Sequence, residues 1–137
     1  MKKTIALLLL AGASLLSTNL AAEETDAPRS KVTQIFDREL PNVPGKSITV
    51  SVVSYPPGGK SRPHHHGGSV LAYVLSGAIR SENSATGPVK VYKAGESFFE
   101  PPGSRHLVSE NASAKEPASL LAVHVAEDDA QLTTFDK

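Results

Sequence analysis

The 137-residue chain contains no cysteine and no tryptophan, a single methionine, and only four Phe and three Tyr. The absence of cysteine excludes a disulfide framework, a thiolate metal site and a cysteine nucleophile. Any metal is therefore left to nitrogen and oxygen ligands. Net charge is also absent, with 14 Lys and Arg against 14 Asp and Glu, which excludes a strongly basic nucleic-acid binder. One domain is expected at this length. Long apolar runs are nearly absent too. The single one, residues 5–16, is broken only by Gly12 and Ser14; it follows Lys2 and Lys3 and precedes Leu20, Ala21 and Ala22. Basic, then apolar, then small residues read as a Sec-type signal peptide cut after Ala22. The run is short for a membrane span. A periplasmic or secreted protein with no stable membrane insertion is expected. It is slightly acidic once the two leader lysines are gone.

Turn formers, by contrast, are plentiful: ten Pro and ten Gly, which implies many tight connections between short elements. Residues 23–31 are polar and read as a flexible arm. Residues 32–40 have the composition of an edge strand. From Ile48 onward apolar and polar residues alternate: Ile48, Val50 and Val52 against Thr49 and Ser51. Short β-rich segments follow at 70–75, 78–81, 89–93, 97–100, 106–110 and 120–125. Seven or eight short strands with no sustained helical period predict an all-β sandwich, jelly roll or barrel. In the last segment Leu121, Val123 and Val125 are expected to face the core, with His124 on the opposite face as a structural histidine. Gly58, Gly77, Gly95 and Gly103 are expected at turns needing positive φ. Arg80 and Glu82 are expected to form a surface ion pair.

Five histidines stand out, because three are consecutive: His64, His65 and His66. In an extended segment side chains alternate faces, so His64 and His66 aim at one point and His65 turns away. A third ligand has to come from elsewhere. His106 is the best candidate, since it opens a strand just after the rigid Pro101-Pro102-Gly103 turn, and metal sites need precisely placed ligands.

Gly58, five residues, His64-x-His66 and then Gly77 resemble the first motif of the cupin superfamily. Gly95, five residues, Pro101-x-Gly103-x-x-His106 resemble the second, and eight of ten motif positions agree. The segments Gly77-Ala78-Ile79-Arg80-Ser81 and Phe98-Phe99-Glu100-Pro101-Pro102-Gly103 are similar to those of small exported single-domain bacterial cupins. The resemblance implies a double-stranded β-helix, or jelly-roll barrel, over residues 32–137, with motif one at 58–77 and motif two at 95–111. It implies one divalent transition metal (Fe²⁺, Mn²⁺, Zn²⁺ or Ni²⁺) on His64, His66 and His106.

Two positions depart from the pattern. Val70 stands where the family has a Glu ligand, and Glu110 where it has Asn, with Asn111 one step late. A three-His site without the carboxylate is more positive and favours a small anionic ligand or substrate. The family's three-His members include ferrous dioxygenases, so a dioxygenase-like or related small-molecule enzyme is implied. The alternatives are a non-catalytic sensor or storage module, or a homodimeric structural barrel paired through residues 32–40. If no bulge intervenes, His106, Val108 and Glu110 share a face, and Glu110 is then a candidate acid–base group or a partner for a ligand histidine. Tyr55, Val70, Tyr73 and Phe98 are candidate pocket-lining residues, with one of Phe98 and Phe99 facing inward.

Overall fold

A computed structural model describes residues 27–137. The leader expected over residues 1–22 and the start of the arm lie outside the described residues. Ten strands follow one another with no helix among the described residues: β1 (Lys31–Glu39), β2 (Lys46–Tyr55), β3 (His64–His65), β4 (Ser69–Ser76), β5 (Ala78–Asn83), β6 (Gly87–Lys93), β7 (Ser97–Glu100), β8 (Arg105–Asn111), β9 (Ala118–Glu127) and β10 (Thr134–Phe135). They form two five-stranded sheets, ordered β1-β2-β9-β4-β7 and β10-β3-β8-β5-β6. Every strand pairing is antiparallel. The last residues of the expected arm are held down: Arg29 bridges to Lys60, and the Ser30 amide donates to the Lys60 carbonyl.

The alternation in β2 is realised, but with its polar side inward: Thr49 and Ser51 are buried with Val53 and Tyr55, while Ile48, Val50 and Val52 are only partly buried. The inner faces meet in an apolar plug at one end of the barrel, built from Val53, Val74, Ile79, Phe98, Ala118 and Leu120 with Tyr92 against it. The other end is polar. There the register lines up Thr49, His124, Val70 and Glu100 across the first sheet, while His64, His106 and Asn83 line up across the second.

Turn chemistry sets where these rows begin. Gly77 and Gly103 take φ of +68° and +73°, the left-handed region that other residues enter only with strain. Gly68 matters through space instead. A Cβ there would lie 2.3 Å from the Val125 carbonyl oxygen and 2.7 Å from the Ala126 Cβ, so only glycine lets β4 start flush against β9. Overpacking of this kind costs about 1–3 kcal/mol. The Gly68→Ala variant is expected to melt on the order of 5–10 °C lower in thermal unfolding followed by circular dichroism. An unchanged midpoint would contradict this packing.

Three expectations are corrected. On β9 the buried residues are Ala118, Leu120, Ala122, His124 and Ala126, so Leu121, Val123 and Val125 face outward and His124 inward. Tyr73 is exposed on β4 and is not among the residues that line the cavity at the histidine cluster. Arg80 pairs with Glu110 across β5 and β8, at 2.5 Å, and not with Glu82.

Candidate metal centre

His64 lies in β3 and is paired directly with His106 of β8, while His66 follows where the chain leaves that strand. All three are buried. One ring nitrogen from each falls in a set whose members lie within 4.8 Å of one another. Metal–nitrogen bonds of 2.0–2.1 Å allow nitrogen separations up to about 4.2 Å. Small side-chain adjustments would therefore close the set around an ion.

Two of the imidazoles are already fixed in the tautomer a metal needs. His64 Nδ1 donates to the Arg62 carbonyl at 2.7 Å, and His66 Nδ1 donates to the Leu132 carbonyl at 2.8 Å. Each Nε2 is thus left with a lone pair directed inward, the arrangement by which backbone acceptors orient metal-ligating histidines. The donor set fits a divalent transition ion. His65 behaves as alternation predicts: it turns away and meets Asp136 at 3.3 Å.

His106 is held at both ends. Its Nε2 lies 2.8 Å from the Ser81 hydroxyl, and its Nδ1 lies 3.1 Å from Glu100 Oε2. One of these partners must release it for it to ligate. Glu100 is the residue that motif reading passed over. It ends β7, is only 3% exposed, and its Oε2 also lies 3.8 Å from His66 Nε2 and 3.3 Å from Asn83 Nδ2. It stands directly across the ladder from Val70, so a buried carboxylate reaches the cluster from the neighbouring strand although β4 carries none there. The sequence did hold a signal for it: inward Phe98 places Glu100, two residues on, on the same face. On the other side of Val70 the register partner is His124, whose ring lies 5.0 Å from that of His66.

Glu110 is not part of this cluster. The β5–β8 register shifts between Glu82 and Asn83, where Val108 and His106 are their partners. This bulge exchanges the faces of β8, so the strand buries His106, Ser109 and Asn111 and turns Glu110 outward to Arg80. Asn111, the residue one step late in the motif, therefore faces in. Its amide donates to the carbonyls of Pro56 and Glu116.

The cluster forms the wall of a cavity of about 220 Å³, floored by Val53, Val70, Ala72, Phe98, Leu120 and Ala122. Tyr55 lines it as expected and bonds the Ser109 hydroxyl at 2.7 Å; burial raises its phenol above the ordinary value. Exposed Arg29, Lys60 and Arg62 stand around the mouth, and Glu100 is the only acid among the described lining residues.

Burial pushes His64 and His124 from 6.5 down to about 4 and also lowers His66. Burial acts to raise Glu100, but its hydrogen bond to His106 and the surrounding imidazoles outweigh this and hold it below the carboxylate range. These histidines are thus neutral at pH 7 and ready to ligate. Between about pH 6.5 and 4 the unfolded chain binds protons that the buried rings refuse, so stability falls as pH falls through that window. The chelator-treated protein is expected to melt on the order of 10 °C lower at pH 5 than at pH 7, as read by scanning calorimetry. A flat profile would argue against buried neutral imidazoles.

The Cupin domain family matches residues 51–124. Similar solved structures include an uncharacterised conserved protein with a double-stranded β-helix domain from Klebsiella pneumoniae, 23% identical with a TM-score of 0.61, the match covering 80% of this chain and 86% of that one. DMSP lyase DddQ from Ruegeria pomeroyi is 17% identical with a TM-score of 0.62, over 90% of this chain and 59% of its own. An oxalate oxidase in complex with the substrate analogue glycolate is 22% identical with a TM-score of 0.59, over 77% of this chain and 54% of its own. No curated protein sequence matches the chain. The structural likenesses are of fold.

Proposed function

The chain belongs to the cupin family, and on that premise we propose that it is an exported mononuclear metal enzyme acting on a small anionic substrate, with Glu100 as its proton-transferring group. The observation that carries this reading is the buried Glu100 carboxylate beside three convergent imidazoles in a cavity with an apolar floor. An inward carboxylate within hydrogen-bond reach of the site favours chemistry over storage. A divalent transition ion on His64, His66 and His106 would supply Lewis-acid polarisation of a bound oxygen.

The chain's own residues account for the rest. The carbonyls of Arg62 and Leu132 keep two ligand rings in register. Glu100 Oε2, within 3.3 Å of Asn83 and 3.1 Å of His106, accepts a proton from the substrate and returns it. Val70, Ala72, Leu120 and Ala122 keep water from the reacting face. Arg62, whose guanidinium lies 4.6 Å from the Phe135 ring centroid, is placed with Arg29 and Lys60 to draw an anion inward. Three neutral imidazoles alone are the donor set that the sequence resemblance links to ferrous dioxygenases. The added carboxylate moves the reading toward proton transfer on a small carboxylate. A lyase and an oxidase stand among the enzymes of similar fold.

The test is elemental analysis of the purified protein, followed by turnover of small carboxylates such as oxalate and glycolate with oxygen uptake monitored. About one equivalent of a transition metal and conversion of a carboxylate are expected. Less than about a tenth of an equivalent after reconstitution would sink the reading. In the same assay Arg62→Ala is expected to weaken carboxylate binding about tenfold, as loss of one charge-assisted contact does, with kcat little changed. Export is checked by cell fractionation and by the intact mass of the exported form.

A further inference from the structure

His124 lies in β9 with its ring in the cavity wall, only 7% exposed. The ring packs edge-on against that of His66, 5.0 Å away. Every other histidine of the chain has a protein hydrogen bond: His64 with Arg62, His65 with Asp136, His66 with Leu132 and His106 with Ser81. Neither ring nitrogen of His124 has a partner among the described residues. Neither is sealed off, because no fully enclosed side-chain nitrogen or oxygen lacks a partner. The unpaired nitrogens therefore open onto the cavity.

The neighbours across the ladder do not serve this ring. The Thr49 hydroxyl is committed to Asp37 at 2.9 Å, and Val70 has no polar group to offer. A neutral imidazole carries one N–H and one lone pair, and buried groups of this kind are nearly always paired. A donor left open to a cavity is thus set out for whatever enters it. Ser51, buried on β2 and also lining the cavity, is a second polar side chain without a protein partner.

We propose that His124 anchors the substrate, and that together with Glu100 it selects a 2-hydroxy carboxylate. This rests on reading the centre as a site for small anions. The strand order β9-β4-β7 places His124 and Glu100 on either side of Val70. Both reach His66, one through its ring and the other through an oxygen 3.8 Å from His66 Nε2. A small molecule bound beside His66 meets a donor on one flank and an acceptor on the other. The His124 N–H binds a carboxylate oxygen, which Glu100 would repel. Glu100 accepts a hydroxyl proton. A carboxylate with a hydroxyl on the adjoining carbon presents both groups within the span of one small molecule. A plain monocarboxylate offers Glu100 no proton, and oxalate sets a second charge against it.

The probes are glycolate and acetate, titrated by calorimetry into protein reconstituted with zinc, which has no redox chemistry, and into the chelator-treated protein. Glycolate is expected to bind at least about tenfold tighter than acetate. His124→Phe keeps a ring against His66 but removes the donor. It is expected to weaken glycolate binding about 10–100-fold, with zinc content and circular dichroism unchanged. His124→Gln restores a donor and should recover most of the loss, which a purely structural role would not give. The wild-type protein supplies a readout independent of how either variant folds: the His124 ring nitrogen resonances should shift as glycolate is added. Ring signals unmoved by saturating glycolate would overturn the proposal. So would glycolate binding no tighter than acetate, or a folded His124→Phe that binds glycolate as the wild type does. The enzyme reading fails separately: a protein that holds no metal yet binds glycolate through His124 would refute that reading and leave the anchor in place.

Discussion

Replacing Glu100 with Gln is expected to lower turnover by about 10²–10⁴, the range supplied by a positioned general acid–base group, while the protein keeps its metal. The argument is geometric. The amide occupies the same volume at the end of β7 and can still accept from Asn83 and His106, so the barrel and the three imidazoles stay in place. What is lost is the capacity to hold a proton at Oε2 beside the reacting atoms. Two measurements separate this from structural damage. Metal content should stay near that of the wild type, and the pH dependence of kcat/KM should lose its acidic limb. A variant with full turnover would remove Glu100 from the chemistry. A variant that loses both metal and activity would make it a ligand and not a base.

The second large effect concerns the ligands. Disturbing the groups that merely orient a ligand histidine typically costs 10–100-fold in metal affinity. Removing a ligand imidazole from a three-His set should therefore cost more than about a hundredfold. His64→Ala and His106→Ala are expected to purify with little metal, whereas His65→Ala, whose ring is turned toward Asp136, should purify with a full complement. Plasma-source elemental analysis on all three proteins decides the matter, and equal metal in each would remove the centre altogether. Thermal stability of the metal-free forms should move the other way. His64 is buried and shifted down to about 4, so its removal relieves the penalty for keeping a neutral ring at acid pH, although it leaves a small cavity.

These two predictions rest on residues of unequal legibility. His64, His66 and His106 could be read from the chain, because period-two alternation puts the first two on one side and a rigid Pro-Pro-Gly turn fixes the third. Their local geometry is written in neighbouring residues. Glu100 was harder, since its relation to Val70 exists only in the β4–β7 register, and no local pattern states which strands pair. Glu110 was left open for the opposite reason, since its inward placement required that no bulge intervene. A one-residue bulge in β8 exchanged two faces, and nothing in the composition of residues 105–111 announces a bulge. The face of β9 failed on a physical point. Large side chains were taken to mark the core, but the inner face of a barrel that encloses a cavity has to be small. Ala122 lines the cavity and leaves it space, and the larger Leu121 and Val123 are displaced to the outside.

The carbonyl of Leu132 that orients His66 has a consequence for how the protein is made. Leu132 follows β9 in the chain, and with it come Thr133, 3.2 Å from the same imidazole nitrogen, and Phe135, whose ring lies 5.8 Å from that of His64. Translation delivers these residues after every other contributor to the centre. A nascent chain that already displays His64, His66 and His106 still lacks the acceptor that sets the His66 tautomer. An ion held there would find His66 fully oriented only once Leu132 is in place and β10 has closed against β3. A chain cut short of that point would fold most of its barrel around a centre it could not finish, and a purification tag that disturbed β10 would report on metal binding as well as on yield.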